Sequence, residues 1–133
     1  IISVVEKKLL NAYGLKTLAK GEENYVEVYE GKSKKRDSSY HQGITWPWLL
    51  GLYYNALKNI LKKTKKKDAK KELETKLEKF IEKTSKTFQK EISHNGCIGS
   101  ISELYDSRKP YLPKGTIAQA WSVAEVFRII LNK

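Results

Sequence analysis

Apolar residues recur at helical spacing in two long stretches near the middle of the chain. In residues 69–92 they fall on one stripe, while Lys and Glu fill the opposite face, as is typical of a helix packed on one side. Asp68 precedes this stripe as the expected N-cap. Residues 49–61 carry a second apolar face, and Pro47 fits the first position of that helix, with one of the two residues before it as the cap. The pattern predicts two amphipathic helices joined by a lysine-rich turn.

Shorter helices are predicted at the two ends of the chain. Residues 2–10 form a short amphipathic pattern that ends before Gly14, a residue suited to a left-handed cap. Residues 117–131 are apolar on almost every side, so we expect both sides of this helix to be buried. Thr116 and Gln119 stand at the spacing of a capping box, in which the two side chains satisfy each other's free backbone N–H groups.

The remaining segments lack a sustained hydrophobic period. Residues 15–39 and 97–115 are interrupted by Gly, Pro and charged clusters, which mark loops, and no segment predicts a convincing strand. Each loop leads into a helix, an alternation that suits concentric helix pairs with loops at one end forming a pocket. The predicted fold class is all-α, with about four helices and long site-forming loops. Four helices cannot close such a ring alone.

A length of 133 residues fits one domain or part of one. The formal net charge is +11, with most of the excess between residues 58 and 90. Glu and Lys are intermingled there, and no Arg or aromatic side chain interrupts the lysine run KKTKKK (residues 62–67) as base stacking needs. We therefore interpret the region as a solvated helix face rather than a nucleic-acid site. No run of residues is long enough to cross a bilayer.

Cysteine and histidine are scarce. Cys97 is the single cysteine, so no internal disulfide forms, and we expect a reducing, cytoplasmic location. With only His41 and His94 beside it, a zinc set is not predicted. Neither a G-x-S-x-G elbow nor a Gly-rich phosphate loop occurs, and no cofactor is expected. The sequence contains no methionine, not even at position 1, so we expect residues 1–133 to be a piece of a longer protein.

Glu103 is the candidate for chemistry. It stands in a neutral run beside Leu104 and Tyr105, where partial burial can tune its pKa. A glycosidase needs two carboxyl groups flanking the scissile bond, one as acid and one as base or nucleophile. The plainer interpretation is that Glu103 caps a turn or pairs with a lysine. Asp106, three residues on, either orients a sugar hydroxyl or makes a turn.

Aromatic and neutral polar side chains cluster in the two loop-to-helix stretches. Trp46, Trp48 and Trp121 offer faces that stack on sugar rings, although core packing explains them equally well. The neutral donors and acceptors suited to sugar hydroxyls are His41, Gln42 and Gln119.

Three motifs give the sequence a specific resemblance. The runs RDSSYHQGITWPWLLG (residues 36–51) and GSISELYDSRKPYLPKGTIAQAWSVAE (residues 99–125) resemble the C-terminal signatures of the glycogen debranching enzyme family. The similarity is to its amylo-alpha-1,6-glucosidase domain of the archaeal and bacterial type. AYGLKTL (residues 12–18) resembles the stretch that precedes the first signature. The three motifs stand in the family's order and cover 50 of the 133 residues.

This resemblance implies an (α/α)6 barrel, of which residues 1–133 are the C-terminal portion. It implies inverting hydrolysis of α-1,6-linked branch glucose in glycogen or limit dextrin. Glu103, followed by Gly115 and Trp121, matches the layout of the general base in related barrels, which implies that Glu103 is the base. The implied substrate-binding residues are Tyr40, His41, Gln42, Gly43, Trp46 and Trp48, with Asp37, Tyr105, Asp106, Gln119 and Trp121 as further candidates.

The general acid of the family lies earlier than any segment matched here, so we expect no useful activity from this chain by itself. The expected partners are a branched α-glucan and the remainder of the glucosidase domain, or a second copy of the chain. No specific nucleic acid and no membrane is expected. Two alternatives stay open: a glucoamylase- or trehalase-like (α/α)6 glycosidase, and a non-catalytic fragment that binds carbohydrate or nucleic acid.

Overall fold

Five helices and a small sheet make up the described part of the chain. The structure is a computed structural model that describes residues 1–131. The helices are α1 (Ile2–Lys8), α2 (Ser33–Ser39), α3 (Leu49–Lys63), α4 (Lys67–His94) and α5 (Ala120–Leu131). The strands are β1 (Leu15–Lys16), β2 (Thr45–Trp46), β3 (Leu104–Tyr105) and β4 (Pro113–Lys114). The predicted all-α class is confirmed, and the arrangement is compatible with part of an (α/α)6 barrel.

The three long helices pack against one another. The short turn of residues 64–66 joins α3 to α4, so these two helices run antiparallel. The α5 helix runs parallel to α3. Trp48, just before α3, stacks on Trp121 in the first turn of α5, and Asn55 accepts a hydrogen bond from Arg128 about two turns further along both helices. Within residues 1–131, none of the helices has the length and apolar character that crossing a membrane requires.

The main core lies between these helices and is closed by Ile101 and Tyr105. Its helical side chains come from the apolar stripes that the sequence predicts. The buried members are Leu50, Tyr53, Tyr54 and Leu57 of α3, Ile81 and Phe88 of α4, and Val126 and Ile129 of α5. A second, smaller cluster is centred on β2 and β3 and contains Ile44, Trp46 and Leu104.

A four-stranded antiparallel sheet joins the loops in the order β1-β2-β3-β4. Leu15 pairs with Trp46, Thr45 with Tyr105, and Tyr105 with Pro113. The expectation that the chain has no strand is therefore wrong. Each strand is only two residues long, which is too short to show the alternation by which strands are recognised in a sequence. The sheet brings together segments that the hydrophobic pattern treats as separate loops.

The helix limits differ from the predicted ones at several places. The first helix ends at Lys8, and α3 begins at Leu49 with Trp48 as its N-cap, so Pro47 precedes the helix. Lys66 occupies the N-cap position of α4, and Asp68 lies in the first helical turn. There its negative charge interacts favourably with the positive end of the helix dipole and stabilises the helix. Residues 33–39, predicted as loop, form α2.

The α5 helix departs from its prediction in two ways. The capping box does not form, because the Thr116 N–H donates to Glu103 Oε2 (2.8 Å) and the Gln119 N–H donates to the Ile101 carbonyl (2.9 Å). The expectation that both sides of α5 are buried is also wrong, since Trp121 and Leu131 are 54% and 76% exposed. Among the described residues, α3 and α4 cover one side of α5 only.

Glu6 ties α1 to the two longest helices. It accepts a hydrogen bond from the Tyr53 hydroxyl (2.6 Å) and pairs with Lys76 Nζ (3.1 Å). Burial acts to raise the pKa of Glu6, but these two partners outweigh it, so the pKa of the carboxyl lies below its ordinary value. Such a group stabilises the fold above its unfolded pKa of about 4.3 and loses that contribution as the pH falls through the folded pKa.

We therefore expect Glu6→Gln to make the free energy of unfolding less dependent on pH below about pH 4.3. At neutral pH the variant should be the less stable protein, because it lacks the charged partner of Lys76. Urea unfolding at neutral and acid pH measures both effects. Glu22→Gln, which changes an exposed glutamate, is the control. If the two variants show the same acid dependence, Glu6 does not carry this linkage.

Candidate functional site

Glu103 stands directly before β3 and is held against the residues that follow β4. Its backbone N–H donates to the Thr116 carbonyl (2.9 Å), and the Thr116 N–H donates to Glu103 Oε2 (2.8 Å). Gly115 lies between Lys114 and Thr116 with a φ of +69°, a conformation that glycine adopts without steric cost. A Cβ atom at Gly115 would overlap the Glu103 carboxylate. This turn can therefore form around Glu103 because residue 115 has no side chain.

Tyr40 holds the other oxygen of the same carboxylate. Its hydroxyl donates to Glu103 Oε1. The Tyr40 ring makes edge contacts with His41 and Trp46, each at 4.7 Å between ring centroids, and a tilted contact with Tyr29 at 5.9 Å. Burial, and then the hydrogen bond to the carboxylate, raise the pKa of Tyr40, so the phenol stays protonated and acts as the donor. A donor at each oxygen thus fixes Glu103.

The Glu103 carboxylate remains open to a ligand. Each carboxylate oxygen has two lone pairs, and the structure assigns one donor to each oxygen. The side chain is half-buried and lines a cavity of about 470 Å³. The other lining residues are Tyr29, Glu30, Gly31, Arg36, Lys114, Gly115 and Thr116. A water molecule in this cavity can therefore reach the carboxylate.

Two cations and a second carboxylate share the cavity with Glu103. Lys114 Nζ lies 3.9 Å from Asp106 Oδ2, and Glu30 pairs with Lys35 at 3.7 Å. Arg36 is exposed, and its guanidinium has no ion pair with residues 1–131. In the same range, no three His, Cys, Asp or Glu side chains converge to hold a metal ion. Arg36 is therefore the cavity cation most available to a ligand.

The larger surface hollows lack such chemistry. Hollows of about 530 and 500 Å³ run along α4, and their lining residues all belong to that helix. Ligand sites need polar groups that converge from several elements, which one exposed helix does not supply. The Glu103 cavity is the stronger candidate, although it is smaller.

Comparison with known protein families agrees with the motifs. The family model described as amylo-alpha-1,6-glucosidase matches residues 1–128. The chain belongs to the amylo-alpha-1,6-glucosidase family. The predicted relationship to the C-terminal domain of glycogen debranching enzymes is thereby confirmed, and the family points to a domain of glycoside-hydrolase type. No curated protein matches the chain.

The two long motifs of this amylo-alpha-1,6-glucosidase domain meet in space. Tyr40 of the first motif touches Glu103 of the second, and His41 and Trp46 lie one ring further away, stacked on each other at 5.4 Å. Trp46 is only 6% exposed, and its Nε1 donates to the Tyr40 carbonyl (3.2 Å). In this structure Trp46 therefore supports Tyr40 and does not present an open ring face.

Two other predicted substrate-binding residues, Tyr105 and Gly43, lie in buried positions. Tyr105 is fully buried, and its hydroxyl donates to Glu91 (2.9 Å), a carboxylate inside the core. Gly43 is buried with a φ of +118°, and its N–H donates to Thr17 Oγ1 (2.9 Å). Neither residue lines the Glu103 cavity.

Asp106 acts on the cavity indirectly. It is 4% exposed and accepts a hydrogen bond from the Tyr29 N–H (2.8 Å). Its second oxygen faces Lys114 Nζ. Asp106 therefore braces two residues of the cavity wall without lining the cavity itself.

Four polar residues predicted for the site lie outside the cavity lining. His41 is exposed, and Gln42 lines a separate hollow of about 410 Å³ with Tyr25. Asp37 is exposed on α2, and its carboxylate forms no ion pair with residues 1–131. Gln119 is half-buried and contributes its backbone N–H to the Ile101 carbonyl.

Trp48 and Trp121 form a stacked pair, with ring centroids 4.0 Å apart and 17° between the ring planes. Trp48 packs against the same small cluster as Tyr40. Trp121 is 54% exposed, so one of its faces is open. The pair thus extends the aromatic surface from Tyr40 towards α5.

Of the eight residues that line the cavity, Glu103 was predicted for the site and the other seven were not: Tyr29, Glu30, Gly31, Arg36, Lys114, Gly115 and Thr116. Arg36 and Lys114 belong to the two long motifs, so the resemblance could have identified them as site candidates. Tyr29 and Glu30 come from residues 15–39, where no period or motif marks them.

Proposed function

We propose that this domain hydrolyses the α-1,6-linked branch glucose of glycogen or limit dextrin with inversion, and that Glu103 is its general base. One observation carries the proposal: Tyr40 and Thr116 fix the Glu103 carboxylate at the wall of a cavity of about 470 Å³. That volume lies within the range of ligand pockets, about 300–1,000 Å³. Family membership supports the substrate class.

In the proposed reaction, a cavity water attacks the anomeric carbon on the face opposite the leaving oxygen. Glu103 accepts a proton from this water as the new C–O bond forms, and the old bond breaks with its electron pair on the leaving oxygen. A general acid outside this chain protonates that oxygen. The products are β-glucose and a glucan with a free 6-hydroxyl group.

The surroundings of Glu103 suit a polar, uncharged sugar. Arg36 and Lys114 are donors only, so they can bind sugar hydroxyl oxygens. The open face of Trp121 can stack on the C–H face of a further glucose unit. In this proposal residues 1–133 contribute the C-terminal portion of an (α/α)6 domain, and the remainder carries the acid. A cytoplasmic location stays a prediction.

α-Glucosyl fluoride tests the base half of the site alone, because fluoride leaves carbon without needing a proton from a general acid. We expect the chain to release fluoride and to form β-glucose as the first product, observed by proton NMR. No fluoride release, or α-glucose as the first product, overturns the proposal. Calorimetric titration with isomaltose, maltose and trehalose tests the linkage, and a preference for either of the last two favours a glucoamylase- or trehalase-like enzyme.

Tyr40→Phe is expected to slow fluoride release by about 10- to 100-fold, the value of one hydrogen bond to a charged group. KM should change little, because the ring stays and only the hold on Glu103 is lost. Tyr29→Phe is the matched control, since Tyr29 lines the same cavity and packs on Tyr40. An equal loss in both variants would assign the effect to general loosening of the cavity.

A further inference from the structure

A hollow of about 410 Å³ is lined by uncharged residues. The lining residues are Asn24, Tyr25, Val26, Ser38 and Gln42, and we call this site the amide hollow. The Glu103 cavity and the two larger hollows along α4 are each lined by several charged side chains. Because 31% of the residues in the chain are charged, the uncharged lining distinguishes the amide hollow from these sites.

Two side-chain amides in the amide hollow have no hydrogen-bond partner within residues 1–131. They belong to Asn24, which is exposed, and Gln42, which is half-buried. Each amide carries two N–H donors and a carbonyl acceptor, so it can donate to one hydroxyl oxygen and accept from the hydroxyl beside it. Burial raises the pKa of Tyr25, so its phenol stays protonated and adds a further donor. These groups match the paired hydroxyls of a sugar ring.

The backbone holds the two walls of the amide hollow together. The Val26 N–H donates to the Gln42 carbonyl (2.6 Å), which joins the segment before α2 to the segment after it. Gly43 permits this approach, because a Cβ atom there would lie 2.5 Å from the Val26 carbonyl oxygen and 2.6 Å from the Tyr25 ring. Lys16 Nζ lies 5.7 Å from the centroid of that ring and holds it by a cation–π contact. The hollow is therefore formed before a ligand arrives, as ligand sites usually are.

The amide hollow and the Glu103 cavity are built on the same two segments. On the first segment, residues 24–26 line the hollow and residues 29–31 line the cavity. Three residues of chain separate these two groups, a span of at most about 11 Å. On the second segment, Ser38 lines the hollow and Arg36 lines the cavity, and both belong to α2. A ligand of several sugar units can therefore contact both sites.

We propose that the amide hollow binds a neutral oligosaccharide, the α-1,4-linked chain of the glucan whose branch glucose enters the Glu103 cavity. A charged ligand would find no opposite charge in the lining, and an apolar ligand would leave both amides without partners. A ligand rich in neutral hydroxyl groups meets neither difficulty. The identity of the sugar rests on the proposed hydrolysis, whereas the uncharged lining and the unpaired amides do not.

Calorimetric titration of the full chain with maltotetraose tests this inference. We expect saturable binding, weakened about 10- to 100-fold in Asn24→Gly combined with Gln42→Ala, the value of two neutral hydrogen bonds. Glycine suits position 24, where φ is +63°. The matched control, Asn59→Ala combined with Gln89→Ala, removes two exposed amides outside the hollow. If the unmodified chain binds no maltotetraose, or if the test variant binds it no more weakly than the control, the inference is wrong.

Nuclear magnetic resonance of the unmodified chain supplies a test that needs no substitution. Added maltotetraose should shift the side-chain amide signals of Asn24 and Gln42 and leave those of Asn59 and Gln89 in place. Fluoride release from α-glucosyl fluoride reports on the Glu103 cavity, so the two proposals can fail separately. Shifted amide signals without fluoride release support the amide hollow and overturn the proposed reaction. Fluoride release without these shifts supports the reaction and overturns the amide hollow.

Discussion

Replacing Glu103 with glutamine is expected to lower fluoride release from α-glucosyl fluoride by about 10²- to 10⁴-fold, the usual contribution of general acid–base catalysis. Glutamine has nearly the shape of glutamate, but its amide cannot take the proton of the attacking water. Its oxygen can still accept one of the hydrogen bonds that Tyr40 and Thr116 donate, so the side chain should stay in place. KM should therefore change little while kcat falls.

Glu30→Gln is the matched control for this prediction. Glu30 lines the same cavity, but its side chain is 61% exposed and pairs with Lys35. We expect its loss to change the rate by less than about fivefold, as for a surface ion pair. If Glu30→Gln loses as much activity as Glu103→Gln, or if Glu103→Gln keeps its turnover, Glu103 is not the base.

Rescue by azide separates a catalytic role of Glu103 from a structural one. In Glu103→Ala the missing carboxylate leaves space in the cavity, and azide is a nucleophile that needs no base. Azide would attack the anomeric carbon and expel fluoride, giving β-glucosyl azide. We expect azide to restore turnover in this variant and to leave the wild-type rate nearly unchanged. A distorted site would not recover.

The long helices were predictable because each repeats one local rule many times. The α4 stripe places Ile81 and Phe88 in the core and Lys and Glu in solvent. Because the stripe repeats over many turns, the helix is recognisable even where a single position departs from the pattern. The α2 helix has seven polar residues and no apolar period, so nothing local distinguishes it from a loop. The two-residue strands depend on partners far along the chain, as in the pairing of Thr45 with Tyr105, and local sequence carries no record of that pairing.

The meeting of the two motifs was predictable, but the surroundings of each side chain were not. Motif order correctly brought Tyr40 next to Glu103. The roles of Trp46 and Tyr105 were not readable, because an aromatic ring has the same apolar surface whether it stacks on a sugar or fills a core. Burial decides between these roles, and burial is a property of the fold. Their buried positions leave Trp121 as the tryptophan with the most open face.

The incorrect expectation for α5 has a physical reason. The helix has apolar residues on nearly all sides, a pattern typical of a fully buried helix. In the structure, α3 and α4 cover only the side that carries Val126 and Ile129. Phe127 and Leu131 are exposed, so residues 1–131 bury only part of the apolar surface of α5.

A methyl group at position 115 is expected to displace the Glu103 carboxylate and to reduce fluoride release by about 100-fold, the cost of a misplacement of about 1 Å. In Gly115→Ala the new Cβ would overlap Glu103 Oε2 and lie 3.1 Å from Glu103 Cβ. The carboxylate cannot move aside freely, since Oε2 is held by the N–H of the next residue, Thr116. The methyl group therefore acts directly on the base.

Gly99→Ala separates this collision from backbone strain. Gly99 has a φ of +82°, and a Cβ there meets nothing within 4 Å. In both variants alanine must adopt the left-handed conformation, which costs about 1–2 kcal/mol for a residue with a side chain. The free energy of unfolding in urea should therefore fall by a similar amount in both. Only Gly115→Ala should also lose turnover, because only there does the methyl group reach Glu103. An equal fall in both rates would mean that activity follows global stability, and an unchanged rate in Gly115→Ala would mean that hydrolysis does not require the observed placement of Glu103.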